Sequence, residues 1–188
     1  VGAKKKAKPV VSKKAVTTKD NQEESNNALP FPVVGIGASA GGLEAISQLL
    51  THLKPGADMA YVIVQHLMST QESILPELLQ RKTAMKVHQV TDGIRIEAGH
   101  VYVIPPATFM TITDGKLVLS VQQKGEKNYH LIDSFLTSLA AAYQHKAIAV
   151  ILSGVGNDGT QGVQAVKAGG GITFAQDDTA QFQPMARH

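Results

Sequence analysis

The chain has 188 residues, 43% of them hydrophobic and 18% charged, enough apolar material for one globular core and too little length for two large domains. With no cysteine, disulfide staples, thiolate metal sites and a cysteine nucleophile are excluded. The net charge of +3 does not mark a nucleic-acid binder: Val1 to Leu29 sets seven lysines against Asp20, Glu23 and Glu24, a balance of +4, whereas Pro30 to His188 sets eleven basic residues against twelve acidic ones, a balance of −1.

Val1 to Leu29 is rich in Lys, Ser, Thr, Asn and Ala without an apolar period. It reads as a disordered basic tail or linker, because it cannot bury enough surface to offset the entropy of ordering. Its lysines are not interleaved with aromatics or arginines as in nucleic-acid-binding arms. No run approaches the roughly 20 apolar residues that span a bilayer, and the lysine-rich start lacks the apolar centre of a signal peptide. The expectation is a soluble, cytoplasmic protein with no membrane insertion, its ordered domain covering residues 30–188.

Order begins at Phe31-Pro-Val-Val-Gly-Ile-Gly37, a buried-strand run that enters a glycine-rich turn. Leu43, Ile46, Leu49, Leu50 and Leu53 have helical spacing, ended by Pro55-Gly56. Met59 to Gln65 is a second buried strand, and Ser69-Thr-Gln-Glu72 has the form of a capping box opening a helix with Ile74, Leu75, Leu78 and Leu79. Val101 to Ile104, Thr108 to Thr113 and Lys116 to Val121 are short strands, the last two joined as a hairpin by Asp114-Gly115. Then come a helix from Leu131 to Tyr143, a buried strand from Ala147 to Leu152, a helix from Thr160 to Lys167 ended by Gly169, and a strand from Gly171 to Ala175. Buried strands alternating with amphipathic helices predict an α/β fold: a doubly wound, mainly parallel sheet flanked by helices, with the antiparallel hairpin as an insertion or edge.

Sites in such sheets form beyond the carboxyl ends of the strands. Three segments fall there: Gly35-Ile-Gly-Ala-Ser-Ala-Gly-Gly42, His66, and Ser153-Gly-Val-Gly-Asn-Asp-Gly-Thr160. Gly37-Ala-Ser-Ala-Gly41 matches G-x-S-x-G, which makes Ser39 a candidate nucleophile on a tight strand-to-helix turn. A serine hydroxyl needs a base, and a histidine base needs a carboxylate to orient it; His66 and Asp158 are the groups available. The other reading of the glycine turn is a nucleotide- or anion-binding loop spanning Gly35 to Gly42. Against it, the second strand ends in Gln65-His66 where a ribose-binding carboxylate is expected, and no P-loop Gly-Lys-Ser/Thr follows. Taken singly, Ser39 and Asp158 also read as helix caps and His66 as a core-edge histidine; their coincidence on successive strand ends favours a site. Oxyanion donors are expected from the amides of Ala40 and Gly41 and, more weakly, from Val155 and Gly156, with glycines there permitting close backbone approach. His52, His88, His100, His130 and His145 show no i, i+4 ligand spacing, so neither metal nor cofactor is expected.

Together these segments make the chain resemble the catalytic domain of the chemotaxis protein-glutamate methylesterases, the CheB family. The likeness runs from about Phe31 onward. It rests on Val34-Gly-Ile-Gly-Ala-Ser-Ala-Gly-Gly42, Val64-Gln-His66, Gly99-His-Val-Tyr-Val-Ile-Pro-Pro106, Ile132-Asp-Ser-Phe135, Val150-Ile-Leu-Ser-Gly-Val-Gly-Asn-Asp-Gly159 and Ala175-Gln-Asp177. The resemblance implies a nucleophile, base and orienting acid at Ser39, His66 and Asp158. It implies hydrolysis of γ-glutamyl methyl esters on methyl-accepting chemotaxis receptors, with receptor glutamine deamidation in some members. Ala40 stands where many members have Thr, and Val155 where many have Met. Gln183-Pro-Met-Ala-Arg-His188 resembles the start of the family's terminal Met-Pro-Arg segment, so a fragment of a longer protein is expected, most similar to methylesterase modules fused to a methyltransferase domain. The alternative implied function is a catalytically weak signalling or docking module of a hybrid sensory protein.

Overall fold

The computed structural model describes residues 1–2, 30–66, 74–121, 130–177 and 180; residues 3–29 of the tail, the capping box at Ser69 to Glu72 and the Gln183 to His188 segment lie outside them. The chain runs β1 (Val33–Ala38), α1 (Gly42–His52), β2 (Ala60–Gln65), α2 (Leu75–Gln80), β3 (Lys86–Gln89), β4 (Ile94–Arg95), β5 (His100–Val103), β6 (Thr108–Thr113), β7 (Lys116–Val121), α3 (Leu131–Tyr143), β8 (Ala147–Ile151), α4 (Thr160–Ala168) and β9 (Ile172–Ala175). Six strands form one sheet in the order β3-β5-β2-β1-β8-β9, and every neighbouring pair is parallel.

The period-two alternation of β1 divides the core into two layers. Val34, Ile36 and Ala38 face a cluster with Ile46 and Leu50 of α1 and Leu75 and Leu79 of α2. Val33 faces the other layer, with Ile132, Phe135, Leu136 and Leu139 of α3 and Val166 of α4. Gly35 and Gly37 lie in this central strand because α3 sits directly on it. A Cβ at Gly35 would fall 2.6 Å from Leu136 Cδ2, and one at Gly37 2.5 Å from Ile132 Cγ2. The two glycines that suggest a dinucleotide loop are filled by side chains of α3.

β1 and β8 are neighbours whose following helices, α1 and α4, cover opposite faces. They flank the topological switch of a doubly wound sheet, where a crevice opens beyond the strand ends.

The predicted hairpin is an insertion and not an edge of this sheet. With β4 it makes a separate antiparallel sheet, ordered β4-β7-β6, and Met110, Ile112 and Leu117 pack with Leu131 and Phe135 of α3. Asp114 and Gly115 have φ values of 50° and 71°, the two positive φ angles of a type I′ turn. The edges of the main sheet belong to β3 and β9. β3 and β4 have no apolar run to announce them: Lys86-Val-His-Gln89 is a half-exposed edge strand and Ile94-Arg95 a two-residue one. Among the described residues no helix is long and apolar enough to cross a membrane.

Candidate active site

Ser39 is the first residue after β1, and its N–H donates to the Ser153 carbonyl at 3.0 Å. His66 is the first after β2, and its N–H donates to the Ala38 carbonyl at 3.3 Å. Asp158 lies between β8 and α4. The parallel register β2-β1-β8 brings the three strand ends side by side. Ser39 Oγ lies 3.4 Å from His66 Nδ1, and His66 Nε2 lies 2.8 Å from Asp158 Oδ2.

The tautomer follows from the partners. A carboxylate only accepts, so His66 Nε2–H donates to Asp158 and Nδ1 presents its lone pair toward Ser39. The His66 side chain is 31% exposed and that of Asp158 7%, so the acid is shielded and the ring faces the opening.

Asp158 is held on three sides. Oδ2 also accepts from Ile132 N–H at 3.0 Å, and Oδ1 accepts from Asp133 N–H at 2.9 Å. Both donors belong to the first turn of α3, where N–H groups have no intrahelical partner and the helix dipole favours negative charge. Burial alone would raise the Asp158 pKa. Hydrogen bonds from His66, Asp133 and Ile132 and the His66 charge outweigh it, leaving Asp158 below the ordinary aspartate value. The exchange is reciprocal: Asp133 Oδ1, in α3, accepts from Gly162 N–H in the first turn of α4 at 2.8 Å. The first turn of α3 thereby holds both Asp158 and the start of α4.

Ser39 does not cap α1, whose N-cap is Gly41 at φ 74°, without a side-chain hydrogen bond. Asp158 does cap a helix, but it is α3 rather than α4, whose own N-cap is Gly159.

Ala40 and Gly41 form the turn beside Ser39. Gly42 N–H donates to the Ser39 carbonyl at 2.9 Å, while the N–H groups of Ala40 and Gly41 have no hydrogen-bond partner among the described residues. Val155 and Gly156 lie in the loop after β8, with Val155 57% exposed. Gly156 has a φ of 97°, which favours glycine, and a Cβ there would meet no protein atom within 4 Å.

Three further residues support the site without having been given a site role from the sequence. Ser153 is 1% exposed, donates from Oγ to the Ala40 carbonyl at 2.9 Å, and gives its N–H to Gln176 Oε1 at 2.8 Å. Asp133 is the third. The only signal for them is their place in the motifs Ile132-Asp-Ser-Phe135, Ser153-Gly-Val-Gly156 and Ala175-Gln-Asp177. Three of the other histidines are locally engaged: His52 with the Gln48 carbonyl, His100 with Glu97, and His88 against the rings of His100 and Tyr102. His130 Nδ1 stands 3.3 Å from Asp133 Oδ2 and 3.8 Å from Asp158 Oδ1. This is the single His and carboxylate grouping with metal-ligand proximity among the described residues. Both its carboxylates already accept helix N–H groups.

Comparison with known proteins gives a consistent relationship. The chain is 36% identical over 164 residues to protein-glutamate methylesterase/protein-glutamine glutaminase 1 of Paramagnetospirillum magneticum, covering 85% of this chain and 43% of that protein. It is 44% identical over 114 residues to an uncharacterized 104.1 kDa protein of Rhodobacter capsulatus, covering 60% of this chain and 12% of that one. The chain thus spans less than half the length of both. The crystal structure of the Thermotoga maritima CheB methylesterase catalytic domain superposes with a TM-score of 0.73 at 29% identity, covering 82% of this chain and 84% of that one. Residues 34–188 match the CheB methylesterase family, and the chain belongs to that family.

Proposed function

We propose that this domain is a serine-type methylesterase that hydrolyses γ-glutamyl methyl esters of methyl-accepting chemotaxis receptors or a similarly methylated protein, yielding glutamate and methanol. The observation that carries this reading is the unbroken chain Ser39–His66–Asp158, set at the switch point of the sheet. Ser39 Oγ attacks the ester carbonyl while His66 Nδ1 takes its proton. Asp158 holds the ring tautomer and stabilises the imidazolium, and the oxyanion forms beside the N–H groups of Ala40 and Gly41. His66 returns the proton to the departing methoxide, and water then hydrolyses the acyl-enzyme by the same base. The 3.4 Å Ser39–His66 separation is within the range that tightens when substrate binds. A primary amide in place of the ester gives glutamine deamidation by the same steps, with ammonia leaving.

The names of the methylesterase/glutaminase relatives support this substrate class. The 12% share of the Rhodobacter relative supports the module's belonging to a longer protein, for which a fused methyltransferase is the proposed partner domain, acting in the cytoplasm. Residues 1–29 are proposed as a linker. The deciding assay is methanol release from membranes carrying methylated receptors. Ser39→Ala is expected to lower turnover by about three orders of magnitude or more with circular dichroism and Tm nearly unchanged. Retained turnover would remove Ser39 as nucleophile.

A further inference from the structure

The nucleophile turn is a run of peptide units whose carbonyls are each tied down. The Ala38 carbonyl accepts from His66 N–H at 3.3 Å, and the Ser39 carbonyl from Gly42 N–H at 2.9 Å. Both donors are backbone groups, unaffected by side-chain identity. The third carbonyl, that of Ala40, accepts from the Ser153 hydroxyl at 2.9 Å. Among the described residues it alone in the turn is held by a side chain.

This peptide also precedes Gly41, which sits at φ 74°. Glycine occupies either sign of φ with little steric cost, so the 40–41 peptide is the unit of the turn most able to flip. In a trans peptide the carbonyl and N–H point to opposite sides. Whichever group directs the Ala40 carbonyl therefore directs the Gly41 N–H.

We propose that Ser153 is a positioning residue of the methylesterase reaction: its hydroxyl fixes the 40–41 peptide with the Gly41 N–H turned away from β8, and Gln176 holds Ser153 in place. Ser153 is buried at the end of β8, and its own carbonyl accepts from Ser39 N–H at 3.0 Å. One residue thus ties the nucleophile's backbone and the following peptide to the same strand. Gln176 completes the chain from the far side, with Oε1 on Ser153 N–H at 2.8 Å and its N–H on the Ile151 carbonyl at 2.8 Å. The Ala175-Gln-Asp177 motif acquires a role by this route: it runs from the end of β9 through Ser153 to the turn, without touching Ser39. The inference rests on the serine-esterase reading.

The test is steady-state methanol release by Ser153→Ala, Gln176→Ala and Gln176→Glu, with Ser39→Ala in parallel and a pH–rate profile for each active variant. Ser153→Ala is expected to lower kcat by about 10- to 100-fold, the scale of a small misplacement of reacting groups. KM should stay within about twofold and the His66 limb of the profile should not move, because the His66–Asp158 contact is untouched. Gln176→Ala should fall in the same direction, and Gln176→Glu, which keeps an acceptor for Ser153 N–H, should recover most of the rate. A folded Ser153→Ala with wild-type kcat, or a shifted His66 limb, would overturn the positioning role. If Ser153→Ala does not fold, equal rates for Gln176→Ala and Gln176→Glu would overturn it. An active Ser39→Ala would instead sink the esterase reading itself.

Discussion

Asp158→Asn isolates the charge and second acceptor oxygen of a group that three N–H donors share. In the wild type, Oδ2 serves His66 and Ile132 while Oδ1 serves Asp133. An amide has one oxygen and must turn its NH2 toward one side. With the oxygen facing Asp133, the NH2 meets Ile132 N–H but can donate to His66 Nε2, moving the ring proton to Nδ1. With the oxygen facing His66, the NH2 meets Asp133 N–H and has no acceptor there. The first arrangement satisfies more groups and removes the base from Ser39. Either leaves one buried N–H without a partner, costing about 1–3 kcal/mol, and removes a charge from a helix start, worth about 0.3–1 kcal/mol and up to about 2 when partly buried.

The expected loss is therefore about 2–4 kcal/mol at pH 7, with kcat reduced by about 10⁴-fold, the scale seen when a wrong histidine tautomer is imposed. The pH dependence has a definite sign. The folded-state pKa of Asp158 lies below its ordinary value, so its contribution is fully present above the unfolded value near 3.9. It is lost as pH falls from there through the folded-state value. Urea unfolding of wild type and variant from neutral to acid pH measures this directly: the stability gap should be widest at neutral pH and shrink toward acid. A gap below about 0.5 kcal/mol, or one constant with pH, would refute the account of Asp158 as a charged cap on α3.

His66→Ala should be at least as damaging to turnover as Asp158→Asn, since it removes the base outright; comparable losses on replacing each other histidine, measured by the same methanol assay, would show the base to be misassigned. Gly162→Ala should lower stability by about 1–3 kcal/mol in thermal or urea unfolding, because the new methyl would lie 2.5 Å from Leu136 Cβ and 3.3 Å from the Asp133 backbone. A change within 0.5 kcal/mol would show that α4 can move away from α3 at little cost.

The main sheet was legible because its central strands are continuous apolar runs, and a strand buried on both faces can scarcely be anything else. β1, β2 and β8 were placed within two residues of their observed ends, and β6, β7 and α3 at the same bounds. β3 escaped because it is a polar edge strand, carrying Lys86 and His88 where a central strand would carry Val or Ile. The separate sheet escaped for another reason: Asp114-Gly115 reports a hairpin, but no local signal says which surface a hairpin packs on. In the site, the residue types at strand ends led to Ser39, His66 and Asp158, which lie in one hydrogen-bonded chain. Ser153 and Gln176 bond to backbone groups of residues distant in sequence, and a bond to a main-chain group leaves no mark on the residue that owns that group. Gly35 and Gly37 kept a nucleotide-loop alternative open in the sequence, since a glycine that admits a ligand phosphate and one that admits a helix have the same spelling.

Three helices begin at the carboxyl end of the sheet around the switch point, and each brings unpaired N–H groups that attract negative charge. In a nucleotide-binding sheet such a start receives a phosphate. Here α3 receives Asp158 and α4 receives Asp133, both from the protein itself, so these two starts are already neutralised. At α1 the first helical N–H, that of Gly42, is taken by the Ser39 carbonyl, and the N–H groups of Ala40 and Gly41 remain without partners among the described residues. They belong to the two residues that follow Ser39, whose Oγ His66 Nδ1 faces. In the serine-esterase reading, the remaining demand for negative charge then falls where attack on an ester would create it, and a full anion held in the ground state is not needed to meet it.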